Sequence, residues 1–367
     1  MAHTRILQIV DSLTLGGTES VAVNLANDIS EIKGFQAFFV CTREEGPLVK
    51  RLKPSVKYLF LDKKRQMDFG AMLKLHRFIK ANKIDIIHAH STSFFYPVLL
   101  KFLHRYKLVW HDHYGMEIKP DGKRSYPYIG FSRFMDFAIS VNDKLLKNNI
   151  EHLHVPKSKQ TYLPNYSVYL PTAGSLAPVL KGEKQFRIVC LANLRPQKDH
   201  KTLLEAFSIV KQRFPLATLY CLGITLGDSW EQEVRELVLK LSLEDSVVFT
   251  GSVENPFLYL EKAAVAVLSS ESEGLPLSLI EYGLASLPVV CTNVGQCAEL
   301  LEKGKNGMLV PAKDAMALAN AIGRIFENED LGRSLSSHFN SFIRNSYGKE
   351  AILQRLVDIY LNTKNTR

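Results

Sequence analysis

Short apolar runs alternate with segments of helical period along almost the whole chain. Ile6–Val10, Ala37–Thr42, Lys57–Leu61, Ile84–Ala89, Leu108–Trp110 and Phe137–Val141 are each long enough for a strand and too short for a helix. Between them Val21, Ala22, Leu25, Ala26 and Ile29 share one helical face, with Thr18 as a candidate cap, and Met72–Ile79 gives a second helix. The pattern breaks over residues 168–184, where Pro171, Pro178, Gly174 and Gly182 sit among polar residues as in a linker. It then restarts, with strands at Phe186–Leu191, Thr218–Leu222, Val247–Thr250 and Ala263–Leu268 and a helix carrying Leu203, Leu204, Phe207 and Val210. Strands alternating with helices predict βαβ crossovers and parallel sheets. The expected fold class is α/β, with one domain over 1–167, a linker over 168–184, a second domain over 185–348 and a last helical segment over 349–367. A chain of 367 residues suits two such cores.

The stretch Ala263–Thr292 carries the densest chemistry. An apolar strand leads into the polar turn Ser269–Gly274, and Pro276 then stands where a helix begins. Leu277, Ile280 and Leu284 follow at helical spacing until Leu287-Pro288. Free N–H groups at such a helix start attract anions. Glu273 and Glu281 border the same place, and carboxylates are poor phosphate ligands, so they suit sugar hydroxyls beside a phosphate. The plainer alternative makes Glu273 a capping acid and Glu281 a solvated helix residue.

Other strand ends offer further candidates. Gly16-Gly17 at a strand-to-helix turn lets a phosphate approach the backbone, although a tight turn needs the same residues. His88-Ala-His90 ends one strand and His111-Asp-His113 leaves the next, at the carboxyl edge where open α/β sheets bind ligands. Two histidines on one strand face invite a metal reading, but no third ligand is evident in the sequence, and neighbouring strand-end residues rarely converge on one ion. Arg195 and Lys198 leave a strand end together and could neutralise a diphosphate, or form a solvated basic turn. Residues 94–107 mix aromatics, leucines and basic residues at roughly helical spacing, which fits either an interfacial helix or a crossover helix packed on the sheet.

Composition narrows the class. The net charge of +9 calls for an anionic partner, and no RNP, KH or C2H2 pattern supports nucleic acid, so an anionic membrane surface is the better candidate. No apolar run spans a bilayer, and the N-terminus enters a strand without signal-peptide architecture, so the expected location is cytoplasmic, peripheral on the inner face of the membrane. The five scattered cysteines and the lack of C-x-x-C argue for reduced core thiols without structural zinc.

Glu273-Gly-Leu-Pro-Leu-Ser-Leu-Ile-Glu281, followed by Leu287-Pro-Val-Val, resembles the E-x7-E segment of retaining glycosyltransferases of family 4. Gly295, Glu299, Gly307 and Leu309-Val-Pro311 continue the pattern, and Gly16-Gly-Thr-Glu19 is similar to the family's N-terminal signature. The resemblance implies the GT-B fold, two Rossmann-like domains facing across a cleft, acceptor in the first and nucleotide in the second. It also implies a last helix crossing back to the first domain. Residue by residue, it makes Glu273 face the donor sugar and Glu281 accept from the ribose hydroxyls, with Gly274, Leu275, Pro276 and Leu277 lining the donor. Gly17 would contact the diphosphate, and Lys198 matches the family's lysine. Where the family has arginine this chain has Asn193, and Arg195 is the candidate replacement. His113 matches the histidine that lies over the donor sugar, with His111 second; His90 and His111 are candidates on the acceptor side.

His113, Glu273 and Lys198 thus form the expected catalytic set. The implied activity is retaining transfer of a sugar from a UDP- or GDP-sugar to a glycan or lipid-linked acceptor, in cell-surface polysaccharide synthesis. Only Glu271-Ser-Glu273 approaches the Asp-x-Asp of metal-dependent transferases, so no metal cofactor is expected. The alternatives are a sugar-nucleotide epimerase of the same fold and a basic binding protein without chemistry.

Overall fold

Two wholly parallel sheets organise the chain. A computed structural model describes residues 3–14, 16–113, 130–167, 169, 178–225 and 227–366, with Lys144 as backbone only. The first sheet contains β1 (Thr4–Ser12), β2 (Phe35–Glu44), β3 (Lys57–Phe60), β4 (Ile86–His90), β5 (Lys107–Asp112), β6 (Phe137–Ser140) and β7 (Gln160–Tyr162), ordered β3-β2-β1-β4-β5-β6-β7. The second contains β8 (Arg187–Leu191), β9 (Thr218–Leu222), β10 (Val247–Gly251), β11 (Val265–Leu268), β12 (Val289–Thr292) and β13 (Met308–Val310), ordered β10-β9-β8-β11-β12-β13. Central strands read as unbroken apolar runs because helices cover both faces. Ile6, Leu7 and Ile9 of β1 and Val265, Ala266, Val267 and Leu268 of β11 are fully buried.

Chain order reverses between β1 and β4 in one sheet and between β8 and β11 in the other. Such reversals open a crevice at the carboxyl ends of the strands, where ligands of open α/β sheets bind. Internal contacts divide the chain into one unit of residues 1–165 with 352–367 and another of residues 166–351. The helix Lys349–Asn365 carries Tyr360, fully buried in the first unit. All five cysteines are buried and unpaired. Among the described residues no helix is long and apolar enough to cross a membrane.

Some local expectations give way to packing. The segment 94–107 is helical only over Phe95–Leu100, after a 3-10 turn at Ser91–Phe94. The buried Tyr106 hydroxyl donates to the Pro97 carbonyl, folding the segment back before β5 starts. Thr18 does not cap its helix, which begins at Gly17, and Thr18 is buried inside the first turn. Pro276 holds the extended N-cap position, one residue before the helix Leu277–Leu284. The helices Ser229–Lys240 and Glu329–Ser346 and strand β7 were not distinguishable in the apolar pattern. Of the expected linker, residues 168 and 170–177 lie outside the described residues, as do Tyr114 and Gly115.

Candidate functional site

The second unit concentrates charge at its sheet reversal. β8 runs out into residues 192–198, and β11 into residues 269–274. The two loops are tied together: Glu271 N–H donates to Gln197 O (2.9 Å) and the Ser269 hydroxyl to Lys198 O (3.0 Å). Lys198 Nζ then donates to Glu273 Oε1 at 2.6 Å, and the Ser270 hydroxyl donates to the same oxygen at 2.6 Å. The Glu273 side chain is only 8% exposed and that of Lys198 22%. A pair this enclosed depends on its remaining hydrogen bonds, and loss of either partner leaves a poorly solvated charge. Gly295 secures the loop from the other side. Its φ is +53°, and a Cβ there would lie 2.1 Å from the Glu273 carbonyl oxygen, so only glycine lets these two backbones meet.

Glu281 stands on the helix Leu277–Leu284 between β11 and β12. Its Oε1 accepts from the Ser167 hydroxyl at 2.9 Å, and burial of the carboxyl pushes its pKa up to about 7. Pro276 gives this helix no side-chain cap; Leu279 N–H turns back to Pro276 O (3.1 Å), and the N–H groups of Leu277 and Ser278 remain for other partners. Gly274 is exposed and Leu275 half-buried on the approach to it. Asn193 holds two loops together, because its Oδ1 accepts from Ile224 N–H at 2.9 Å and fastens the loop after β9 to the loop after β8. Arg195 is exposed at the start of the turn Pro196–Lys198.

The first unit contrasts with this. Strand register sets Gln8 of β1 beside His88 of β4, and His90 beside His111 of β5. The sequence suggested no third histidine near His88 and His90. The register supplies two more, because β5 runs parallel and adjacent and carries His111 to the same level. His88, His90 and His111 are buried, and burial lowers all three pKa values well below the usual range; that of His113 falls to about 3. Each ring is therefore neutral, with one N–H donor and one bare nitrogen.

With the Gln8 amide oxygen toward His90, one set of tautomers satisfies the whole network. Gln8 Nε2–H donates to the Tyr360 hydroxyl (3.0 Å), which donates to His88 Nδ1 (2.6 Å), so His88 Nε2–H donates to His111 Nδ1 (3.1 Å). On the other branch His90 Nε2–H donates to Gln8 Oε1 (2.7 Å), so His90 Nδ1 accepts from His113 Nε2–H (2.9 Å). Two buried atoms end the chain without partners among the described residues: His111 Nε2–H, a donor, and His113 Nδ1, an acceptor. Their rings are 4.1 Å apart between centroids. One donor and one acceptor side by side match a hydroxyl group, which accepts and donates at once.

Nitrogens of His88, His90 and His111 also lie within 4.8 Å of one another, as in a transition-metal ligand set. His88 and His90, however, already use both ring nitrogens in hydrogen bonds. Gln8, Tyr360, Ser167 and Ser270 were missed as site residues. The one signal was Gln8 itself, a polar residue in the middle of an apolar strand.

Residues 15–166 match the family profile described as Glycosyltransferase Family 4, and residues 176–342 match that of Glycosyl transferases group 1. The O-antigen biosynthesis glycosyltransferase WbnH of Escherichia coli is 24% identical over 352 residues, covering 94% of this chain and 92% of that protein. The glycosyltransferase of Rickettsia africae ESF-5 superposes with a TM-score of 0.82 at 18% identity over 100% of both chains. Anabaena Alr3699/HepE, solved in complex with UDP and glucose, superposes with a TM-score of 0.76 at 18% identity, over 98% of this chain and 100% of that one. Matched in both of its units, the chain belongs to the group 1, family 4 glycosyltransferases and has their GT-B fold.

Proposed function

We propose that the protein is a retaining glycosyltransferase that takes a sugar from a UDP- or GDP-sugar without a metal cofactor. The observation that carries this reading is the Lys198–Glu273 pair, which joins the loop after β8 to the βαβ unit that carries Glu281. Departure of a nucleoside diphosphate leaves two phosphates whose charge rises as the glycosidic bond stretches. A fixed ammonium and oriented N–H dipoles stabilise that charge, and such preorganised electrostatics are usually the largest catalytic term. Lys198, with three N–H donors, can hold Glu273 and a phosphate oxygen together. Arg195, exposed at the same turn, supplies the second cation. Glu273 orients the sugar, and Glu281 accepts from the ribose hydroxyls in its ionised form. Gly17 is assigned to the diphosphate by the resemblance, and the space where its Cβ would stand is open.

His113 positions a sugar hydroxyl rather than acting as an acid or base, because a ring with a pKa of about 3 is not imidazolium at neutral pH and is too weak a base to take a proton. The acceptor is a glycan or a lipid-linked glycan of surface polysaccharide synthesis, consistent with the similarity to WbnH. Contact with an anionic membrane is supported by an apolar and basic patch. Phe102 and Leu103 are 70% and 68% exposed, Phe102 stacks edge-on with Phe134, and the His76–His104 bond links them to the helix Phe69–Asn82, which exposes Phe69 and Leu73. Lys80 and Arg77 flank that helix face.

The test is a panel of UDP-, GDP- and ADP-sugars with a lipid-linked acceptor in excess EDTA, the product's anomeric configuration being read by proton NMR. Transfer with retention in EDTA is expected. Inversion, or activity that returns only with added divalent ions, would overturn this reading.

A further inference from the structure

The carboxyl ends of β1, β2, β3 and β4 enclose a cavity of about 440 Å³ that the donor chemistry does not use. Asp11 comes from the end of β1, Arg43 from β2, Lys63 from just past β3 and Thr92 from just past β4; Phe95 and Phe131 form an aromatic wall, edge to face at 5.4 Å. This size suits a small-molecule site.

Charge is unbalanced here. Both Asp11 oxygens are occupied: Thr42 donates to Oδ1 and Thr92 to Oδ2, each at 2.5 Å, and Arg43 Nε lies 3.8 Å from Oδ1. Lys63 is buried, and its ammonium rests 4.2 Å from the Tyr96 ring centre. Among the described residues no carboxylate lies within ion-pair distance of it. Burial and the neighbouring Arg43 lower the Lys63 pKa, and Asp11, Asp68 and the ring offset that cost only in part. The nearby acids are already engaged, Asp11 by two threonines and Asp68 by the backbone N–H groups of Lys64 and Ala71, which leaves the two cations open to an anion beside an apolar wall.

We propose that this cavity binds a phosphate group carried by the acceptor, with Arg43 and Lys63 on its oxygens and Phe95 and Phe131 against the moiety it is attached to. Arg43 offers a planar fork for two phosphate oxygens, and Lys63 a point charge. The inference rests on the transferase reading for the word acceptor alone; the anion site stands on its own geometry.

Calorimetric titration with phenyl phosphate, inorganic phosphate and phenol tests it on the intact protein. Phenyl phosphate should bind at least about tenfold tighter than either fragment, and Arg43→Gln should weaken it about tenfold, the scale of one charge-assisted contact. Lys63→Met should do the same and Lys63→Arg should restore binding; Arg43, nearly half exposed, is the variant least able to disturb the fold. Farnesyl phosphate and glucose 1-phosphate separate a lipid-borne from a sugar-borne phosphate, and tight binding of either upholds the site. No binding of phenyl phosphate, binding that Arg43→Gln leaves unchanged, or tighter binding of glucuronate than of either phosphate would overturn it. Nucleotide-sugar binding should be unaffected by Arg43→Gln. Its absence in the unsubstituted protein would sink the transferase reading and leave the phosphate site standing.

Discussion

The two sheet reversals solve opposite problems with the same architecture. In the second unit the reversal holds formal charge, a lysine against a glutamate with a further glutamate one helix away. In the first, three histidines on β4 and β5, a fourth just past β5 and a tyrosine from the last helix are neutral and bond to one another, with two ring nitrogens left over. Parallel strands position backbone ends alike in both. The difference lies in burial: His88, His90 and His111 sit within the strands, where desolvation removes charge, while Lys198 and Glu273 sit on loops that water or a ligand can reach. A charged crevice can respond to a departing diphosphate, whereas a neutral, tautomer-locked one can recognise hydroxyls without repelling or trapping ions.

The largest expected effect falls on the charged side. Lys198→Ala should cut turnover about a hundredfold, the usual scale for one transition-state contact. If Lys198→Ala reduced rate less than Tyr360→Phe, the assignment of charge to one unit and neutral recognition to the other would fail.

Glu281→Gln sharpens the comparison through pH. The folded pKa of about 7 exceeds the ordinary 4.5, so the unfolded chain gives up its proton first. The contribution is fully present below about pH 4.5 and is lost as the pH rises through 7, amounting to about 3 kcal/mol at most. Glu281→Gln should therefore gain melting temperature relative to the parent at pH 8 and not at pH 5. A pH-independent difference would mean that the carboxyl is solvated.

Tyr360→Phe strikes the neutral side. It leaves His88 Nδ1 without its donor, at a cost of about 2 kcal/mol, and frees the tautomers downstream. Nitrogen-15 imidazole shifts should then show His111 no longer held as the Nε2–H form, with KM for the sugar nucleotide raised and kcat less affected. Smallest in catalytic terms is the double change Phe102→Ser with Leu103→Ser. It should weaken binding to anionic vesicles about tenfold and leave turnover on a soluble acceptor unchanged.

Most of the fold and about half of the site were legible in the sequence, for different reasons. Strands buried on both faces announce themselves as apolar runs, and the loop with Glu273 declares itself between such a run and a helix. Asn193 looked like a lost arginine, yet its side chain ties down Ile224, a contact across two loops that spacing does not encode. The histidine cluster was half visible: His88 and His90 shared a strand face, but His111 and His113 joined them only through the register of β5. Tyr360 reaches Gln8 across 352 residues, beyond any local pattern. The helical spacing over 94–107 overstates the helix, which ends at Leu100, because Tyr106 is anchored in the core and amphipathic spacing does not report where the chain turns.

The central claim is that the charged crevice of residues 166–351 grips the nucleoside diphosphate. Calorimetric titration of the intact protein with UDP and with GDP in EDTA, beside Lys198→Ala and Tyr360→Phe, tests it most directly. The account predicts saturable binding of one of the two nucleotides, weakened about tenfold or more by Lys198→Ala and unchanged by Tyr360→Phe. Equal affinity in the parent and in Lys198→Ala would contradict it.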